Sequence, residues 1–206
     1  WWIDKPMLGF EGNIRSAGAT ILWMADLLGV DAAELARLAS TCGDAGNVHV
    51  VPGFNGLGAP WWDGNAVGIV SGVTLGAGRP VIARATLDSI AHQIADLVDV
   101  VRQSGLAVDR LHVDGGPTRN DQLMQFEADM TGVTVARTDV AELSAMGVAH
   151  LAGISEGIFT FAGLSRMDRS GRTYAPVLNE ATRVAKRQSW RRAVARSLGS
   201  ITPAEP

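Results

Sequence analysis

The sequence is poor in cysteine, long apolar runs and positive charge. Cys42 is the single cysteine among 206 residues, so no internal disulfide can form, a composition that suits a reducing cytoplasm. There is no run of about 18 apolar residues, so no transmembrane helix is predicted. The net charge of −3 offers no basic field for nucleic acid or an anionic membrane. We therefore expect a cytoplasmic protein that binds neither.

Apolar residues and glycine are plentiful instead. Hydrophobic residues make up 47% of the chain and charged residues only 19%, a balance typical of folded domains rather than disordered ones. The length fits one large domain or one and a half small ones. The sequence begins at Trp1, with neither an initiator methionine nor a signal-peptide pattern. We expect it to be a segment of a longer chain.

Hydrophobic periodicity predicts an alternation of helices and strands. The predicted helices cover residues 13–28, 32–40, 81–103, 121–130, 142–157 and 181–198. The predicted strands cover residues 49–51, 67–75, 110–113 and 133–138. Residues 54–63 and 168–176 are predicted loops, and Asp31 is expected to cap the second helix. This order favours an α/β fold in which helices flank a mixed sheet.

The stretch from residue 111 to 120 carries the clearest chemical signal. A buried strand runs into Gly115 and Gly116 and then into a helix. Glycine lets a backbone approach a phosphate, and a helix N-terminus attracts anions. Asn120 would bond a nucleotide or cap the helix, and Asp114 would contact a magnesium ion through water. A plain tight turn, with Asn120 or Asp121 as the N-cap, explains the same pattern, so both interpretations stay open.

His92 is the one histidine on the long predicted helix, where acidic residues lie at spacings of four. Such spacing occurs in metal sites. No second histidine or cysteine supports a metal here, so a pair on the helix surface is the expected role. No metal site is predicted from the protein's own side chains.

The C-terminal helix, residues 181–198, is rich in arginine and lysine. A basic helix can bind nucleic acid or a membrane. Trp190 is its only aromatic residue, and the chain as a whole is acidic. A solvated face, or a contact with another domain or subunit, is therefore the favoured interpretation.

Five stretches together resemble the FGGY family of carbohydrate kinases. They are FEGNI at 10–14, FNGLGAPWWD at 54–63, GIVSGVTLGAGRPVIARATLD at 68–88, VDGGPTRNDQLMQF at 113–126 and ELSAMGVAHLAG at 142–153. They occur in the family's order between about residues 8 and 160. Val81 departs from the family pattern, which usually has a polar residue there.

The resemblance implies a fold and a domain division. Family members are two-domain kinases of the actin and hexokinase type, in which each domain has a ribonuclease-H-like core and ATP lies in the cleft between them. Residues 1–165 would form the C-terminal, nucleotide-binding domain. Residues 166–206 would form a tail whose basic amphipathic helix packs on that domain.

The resemblance also assigns nucleotide-binding residues. The loop of Gly115, Gly116 and Asn120 would border the adenosine and phosphates of ATP, and Gly18 would meet the adenine from the first helix. Asp114, in the same loop, completes the predicted cofactor-binding set, with Mg²⁺ as the accompanying ion. Leu22 stands where the family usually has a glutamine, which removes one hydrogen bond from the base pocket.

The resemblance further implies an ATP-dependent kinase acting on a sugar or polyol. The FNGLGAPWWD segment resembles the glycerol kinases and favours glycerol, with xylulose, ribulose and erythritol as alternatives. A non-catalytic module for nucleotide binding or assembly is the alternative from another class. No residue here matches the family's catalytic aspartate or its D-x-G-T loop. Both are expected in a missing N-terminal domain, so this chain alone is expected to be inactive. Homo-oligomer formation stays open.

Overall fold

Seven α-helices and five short strands make up the part of the chain that the computed structural model describes, namely Pro6 and residues 9–140, 142–167 and 171–199. The helices are α1 (Gly18–Leu27), α2 (Ala32–Ser40), α3 (Arg79–Gln103), α4 (Asp121–Thr131), α5 (Leu143–Ser155), α6 (Phe161–Ser165) and α7 (Glu180–Ser197). The strands are β1 (His49–Val51), β2 (Ile69–Ser71), β3 (Arg110–Val113), β4 (Thr134–Thr138) and β5 (Gly171–Tyr174). Among the described helices, none combines the length and apolar character that crossing a membrane requires.

The strands form a mixed sheet and a separate ribbon. β3 runs parallel to β4, with Val113 opposite Arg137, and β5 runs antiparallel to β4, with Tyr174 opposite Val135. β1 and β2 pair antiparallel by themselves. The helical segment between β3 and β4 supplies the crossover that a parallel pair requires. The α/β fold with a mixed sheet and flanking helices was thus correctly predicted.

Helix α3 is the element around which the core is assembled. Its N-terminal half packs on α1, α2 and β1 through residues such as Met24, Leu35 and Leu87. Its C-terminal half packs on α4 and the mixed sheet, where Phe126 and Val135 are buried. Because it faces partners on several sides, α3 buries most of its N-terminal two thirds, including several alanines that permit close helix packing.

Several elements lie where the sequence places them, but the first helix does not. α2 and β1 match their predicted bounds, and Asp31 accepts a hydrogen bond from the Glu34 amide at 2.7 Å, as expected of an N-cap. The helix predicted to begin at residue 13 begins only at Gly18. Asn13 and Arg15 contact the loop 54–63 instead: the Asn13 carbonyl accepts from the Ala59 amide at 3.0 Å, and Arg15 donates to the Asn55 carbonyl at 2.6 Å.

Two further predictions need correction at strands. The strand predicted over 67–75 is reduced to β2, because its partner β1 has three residues and Gly72 turns the chain with a φ of 79°. The loop predicted over 168–176 is wrong for residues 171–174, which form β5, while residues 168–170 lie outside the described part. Tyr174 of β5 is buried against β4, a tertiary contact that local composition does not reveal.

Candidate functional site

A cavity of about 720 Å³ opens between α1, α2, α3 and the segment that leads into α4. Its lining residues are Gly18, Ile21, Leu22, Ala32, Ala33, Ala36, Leu87, Gly116, Pro117, Arg119, Asn120 and Leu123. This size is within the range of small-molecule sites in proteins. The cavity therefore brings together three of the five residues predicted to bind a nucleotide: Gly18, Gly116 and Asn120.

The loop after β3 supplies one wall of the cavity. Gly115 has a φ of 94°, a left-handed conformation that residues with a Cβ adopt only with strain. The chain then forms a short 3-10 helix, Gly116–Arg119, before α4 begins. Asn120 caps α4, because its side-chain oxygen accepts a hydrogen bond from the Leu123 amide at 3.0 Å. The capping role predicted for Asn120 is thus confirmed, and the carboxamide NH₂ is left for solvent or a ligand.

Helix α1 supplies another part of the lining. Gly18 is the first residue of α1, and a Cβ atom placed on it would meet none of the described residues within 4 Å. Leu22 follows one turn later, with 65% of its surface exposed, and also lines the cavity. The absence of a side chain at Gly18 keeps this side of the cavity open.

The chemistry of the lining is divided between an apolar and a polar part. Ile21, Leu22 and Leu87 form the apolar part, in which Leu22 is 65% exposed and Leu87 only 3%. Arg119 is the only charged residue among the described residues that line the cavity, and Asn120 lies next to it. An apolar wall beside an arginine and a helix N-terminus suits a ligand that joins an aromatic ring to an anion.

Two of the predicted residues lie beside the cavity rather than in its lining. These are Asp114 and Gly115, neither of which lines the cavity. Asp114 is exposed and lies between the end of β3 and Gly115. Across the described ranges, no group of three or more His, Cys, Asp and Glu side chains is placed to hold a metal ion. An ion at this site would take most of its ligands from a bound ligand, from water or from another domain. The binding roles of all five residues stay predictions.

Several apolar residues that line the cavity were not predicted from the sequence. Ala32, Ala33 and Ala36 lie on one side of α2, and Leu87 lies on α3, all of them far from the glycine loop in the sequence. The spacing of the three alanines marks a face of small residues on α2. What that face borders depends on tertiary packing, which has no local signal. Arg119 lies within the predicted loop and could have been found there.

Helix α4, which begins at the cavity, carries a buried acid. Glu127 is 4% exposed, and burial raises the pKa of its carboxyl to about 7 from the usual 4.5. Between these two pKa values, the folded protein keeps a proton on Glu127 that the unfolded chain releases. Its stability therefore falls as the pH rises from 4.5 towards 7.

When the pH is raised from 5 to 6, the unfolding free energy of the parent protein is expected to fall by about 1 kcal/mol more than that of the Glu127→Gln variant. The glutamine variant lacks the titrating group. Subtracting its pH-dependent change from that of the parent therefore leaves the contribution of the Glu127 carboxyl alone. Urea unfolding at both pH values measures it, with Glu156→Gln as the control at an exposed position on the same chain. An equal pH dependence of the parent and Glu127→Gln would contradict the prediction.

The surface role expected for His92 is wrong. His92 is 3% exposed and stacks on Trp190 of α7, with ring centroids 4.9 Å apart. Burial, followed by the charge of Arg187, holds the pKa of His92 well below its usual range. The sequence suggested a surface because it does not indicate that α7 covers this face of α3.

The solvated face expected for the basic helix is also wrong at Arg187. This side chain is buried, and it forms ion pairs with Asp96 and Asp99 of α3. Lys186 forms a further pair with Asp44, at 2.7 Å. Part of the positive charge of α7 is therefore compensated by carboxylates of the same chain.

Comparison with protein families gives a match over most of the chain. The model of the FGGY family of carbohydrate kinases, C-terminal domain, matches residues 3–156. The glycerol kinase of Trichlorobacter lovleyi is 44% identical over 204 residues, which are 97% of this chain and 41% of that protein. The glycerol kinase of Pseudothermotoga lettingae is 42% identical over 207 residues, covering 97% of this chain and 42% of that protein. The chain thus spans about two fifths of the length of these curated relatives.

Solved structures give a similar result. The crystal structure of Plasmodium falciparum glycerol kinase with ADP superposes with a TM-score of 0.82 at 30% identity, over 91% of this chain and 38% of that one. The ligand-bound xylulose kinase of Lactobacillus acidophilus superposes with a TM-score of 0.77 at 21% identity, over 93% and 41%, which is evidence of the fold alone. These likenesses confirm the expected ribonuclease-H-like fold of the actin and hexokinase type.

Proposed function

Because this chain belongs to the FGGY family of carbohydrate kinases, as its sequence motifs predicted, we propose that it is the nucleotide-binding part of an ATP-dependent glycerol kinase. The enzyme would transfer the γ-phosphate of ATP to a hydroxyl of glycerol. The observation that carries this proposal is the cavity in which Gly18, Gly116 and Asn120 meet. We place this enzyme in the cytoplasm, where a single cysteine would stay reduced.

Similarity supports the nucleotide and the substrate separately. A glycerol kinase whose crystal structure contains ADP shares this fold at 30% identity. Curated glycerol kinases are more than 40% identical over nearly the whole chain. Glycerol is therefore preferred to xylulose, ribulose and erythritol as the phosphoryl acceptor.

The residues around the cavity fit a nucleotide. We assign the apolar wall of Ile21, Leu22 and Leu87 to the base, with Gly18 leaving room for its approach. Gly116 and the N-terminal end of α4 would lie towards the phosphates, where backbone amides and the helix dipole favour negative charge. Asn120 can cap α4 through its oxygen and donate to the ligand through its nitrogen.

Phosphoryl transfer depends on positioning and on charge stabilisation. Mg²⁺ bound with the nucleotide would neutralise charge on its phosphates, and Asp114 is the residue of this chain that we assign to contact it through water. The fit of Asp114 rests on its exposed carboxylate beside the loop. We place the base that removes the hydroxyl proton in an N-terminal domain. The relatives are long enough to contain one, because the matched region covers only 41% of the Trichlorobacter lovleyi enzyme.

Closure of two domains around the substrates would exclude water, which otherwise competes as the phosphoryl acceptor. In this arrangement the present chain holds the nucleotide and moves with it. It should therefore bind nucleotide weakly by itself and transfer no phosphate.

The test is a coupled assay of ADP release by the longest product of the gene, with the 206-residue chain as the control. The acceptors are glycerol, erythritol, D-xylulose, L-ribulose and gluconate, each with Mg-ATP. We expect turnover with glycerol by the long form and none by the control. Turnover with another acceptor would replace glycerol as the substrate. If no acceptor gave ADP release, or no longer product existed, a nucleotide-binding or assembly module would be the better description.

A further inference from the structure

A second cavity, of about 230 Å³, lies between the C-terminal part of α3, the end of α4 and one face of α7. It shares none of the lining residues of the nucleotide cavity. Its charged lining residues are Arg102, Arg183, Arg187, Arg191, Asp99 and Glu180. Asp96, outside the lining, also pairs with Arg187, so four arginines meet three carboxylates and this region keeps a small excess of positive charge, whereas the whole chain has a net charge of −3.

The arrangement of the arginines follows from helix geometry. Arg183, Arg187 and Arg191 occur at every fourth position of α7, which places them on one face. Arg102 comes from the last turn of α3 and donates to the Thr131 carbonyl at the C-terminal end of α4, at 2.7 Å. The four side chains therefore enter the cavity region from two helices.

Arg187 is the buried member of this group, with 7% of its side chain exposed. One terminal nitrogen donates to the His92 carbonyl at 2.8 Å, and the other contacts Asp96 and Asp99. Its Nε is buried and has no acceptor among the described residues. Buried donors in folded proteins usually have a partner, and an ordered water or an ion can supply one where the protein does not.

The carboxylates of the lining are already shared. Asp99 accepts from both Arg187 and Arg191, at 3.1 and 2.9 Å. Glu180 forms an ion pair with Arg183, and 70% of its side chain is exposed. Each guanidinium has five N–H donors, so these contacts leave donors and positive charge available in the cavity.

We propose that this cavity binds a small oxyanion of the phosphate class, held by Arg183 and Arg191 with Arg102 and Arg187 adding positive charge. Guanidinium groups match the geometry of phosphate oxygens and bind them through paired hydrogen bonds. A bound anion would connect α7 to α3 and α4 and would stabilise their packing. This site is independent of the proposed kinase reaction.

Isothermal titration calorimetry with inorganic phosphate tests the proposal on the 206-residue chain, at an ionic strength held constant with chloride. We expect one site per chain and a melting temperature that rises with phosphate concentration. The double variant Arg183→Gln/Arg191→Gln should weaken phosphate binding by about tenfold or more. Circular dichroism and the phosphate-free melting temperature check that it is folded, and Arg191→Gln, at a half-exposed position, replaces it if it is not.

Two matched variants define the location. Arg192→Gln changes an exposed residue beside this face of α7, and Arg119→Gln changes the arginine of the nucleotide cavity. Arg192→Gln should bind phosphate like the parent, whereas Arg119→Gln reports whether phosphate binds in the nucleotide cavity instead. The proposal fails if the parent binds no phosphate, which would make the cavity a pocket of water. It also fails if the double variant binds as well as the parent, or if Arg119→Gln is the variant that loses binding.

Discussion

Gly18→Leu is expected to lower the affinity for Mg-ADP by at least about a hundredfold, or about 2.7 kcal/mol. The new side chain would extend into the cavity, because a Cβ on Gly18 meets none of the described residues within 4 Å. The fold should not suffer, because Gly18 is the first residue of α1 and has open space at its Cβ position. The variant therefore separates occupation of the cavity from disruption of the fold.

The measurement is nucleotide binding by calorimetry on the longest gene product, alongside a thermal melt of each variant. Gly43→Leu is the matched control, because Gly43 is an exposed glycine whose Cβ position is equally open and which does not line the cavity. It should bind Mg-ADP like the parent. Unchanged affinity in Gly18→Leu would mean that the nucleotide binds elsewhere, and the proposed function would lose the geometric observation on which it rests.

The parts of the site that the sequence predicted are local in the chain. Gly115, Gly116 and Asn120 fall within six consecutive residues, where a strand, a turn and a helix cap each have a recognisable residue preference. Gly18 lies far from them and was assigned through the family resemblance. It lines the same cavity as Gly116 and Asn120, and its role toward the adenine stays a prediction.

The parts that could not be predicted depend on which elements pack together. Leu87 and Ala33 border the cavity only because α2 and α3 meet beside the glycine loop. His92 is buried against Trp190 of α7 and Phe126 of α4, and β5 pairs with the edge of β4. In each case the local sequence permits several environments, and long-range contacts select one of them.

Helix α7 is the element for which this selection has the largest energetic effect. Trp190 is 1% exposed and is among the largest fully buried side chains in the described part. Its indole nitrogen donates to Asp96 at 2.8 Å, and its ring stacks on His92. The same ring belongs to a core cluster with Val51 and Val194, which joins α7 to β1. Trp190 thus connects the C-terminal helix to two separate parts of the fold.

Trp190→Ala is expected to lower the unfolding free energy by about 3–5 kcal/mol, the usual cost of removing a large aromatic side chain from a core. The loss combines apolar burial, an empty cavity and a hydrogen bond to a buried carboxylate. Urea unfolding measures it, and Trp62→Ala is the matched control because Trp62 is 65% exposed. That control should cost less than about 1 kcal/mol.

The comparison of these two variants also bears on the domain division, in which residues 166–206 are predicted to be a tail packed on the kinase domain. If Trp190→Ala costs several kcal/mol in one cooperative transition, α7 unfolds with the rest of the chain and is part of its core. If it costs no more than Trp62→Ala, α7 contributes little to the stability of the domain. In that case the contacts of Trp190 with His92 and Asp96 would be too weak to keep the two helices together.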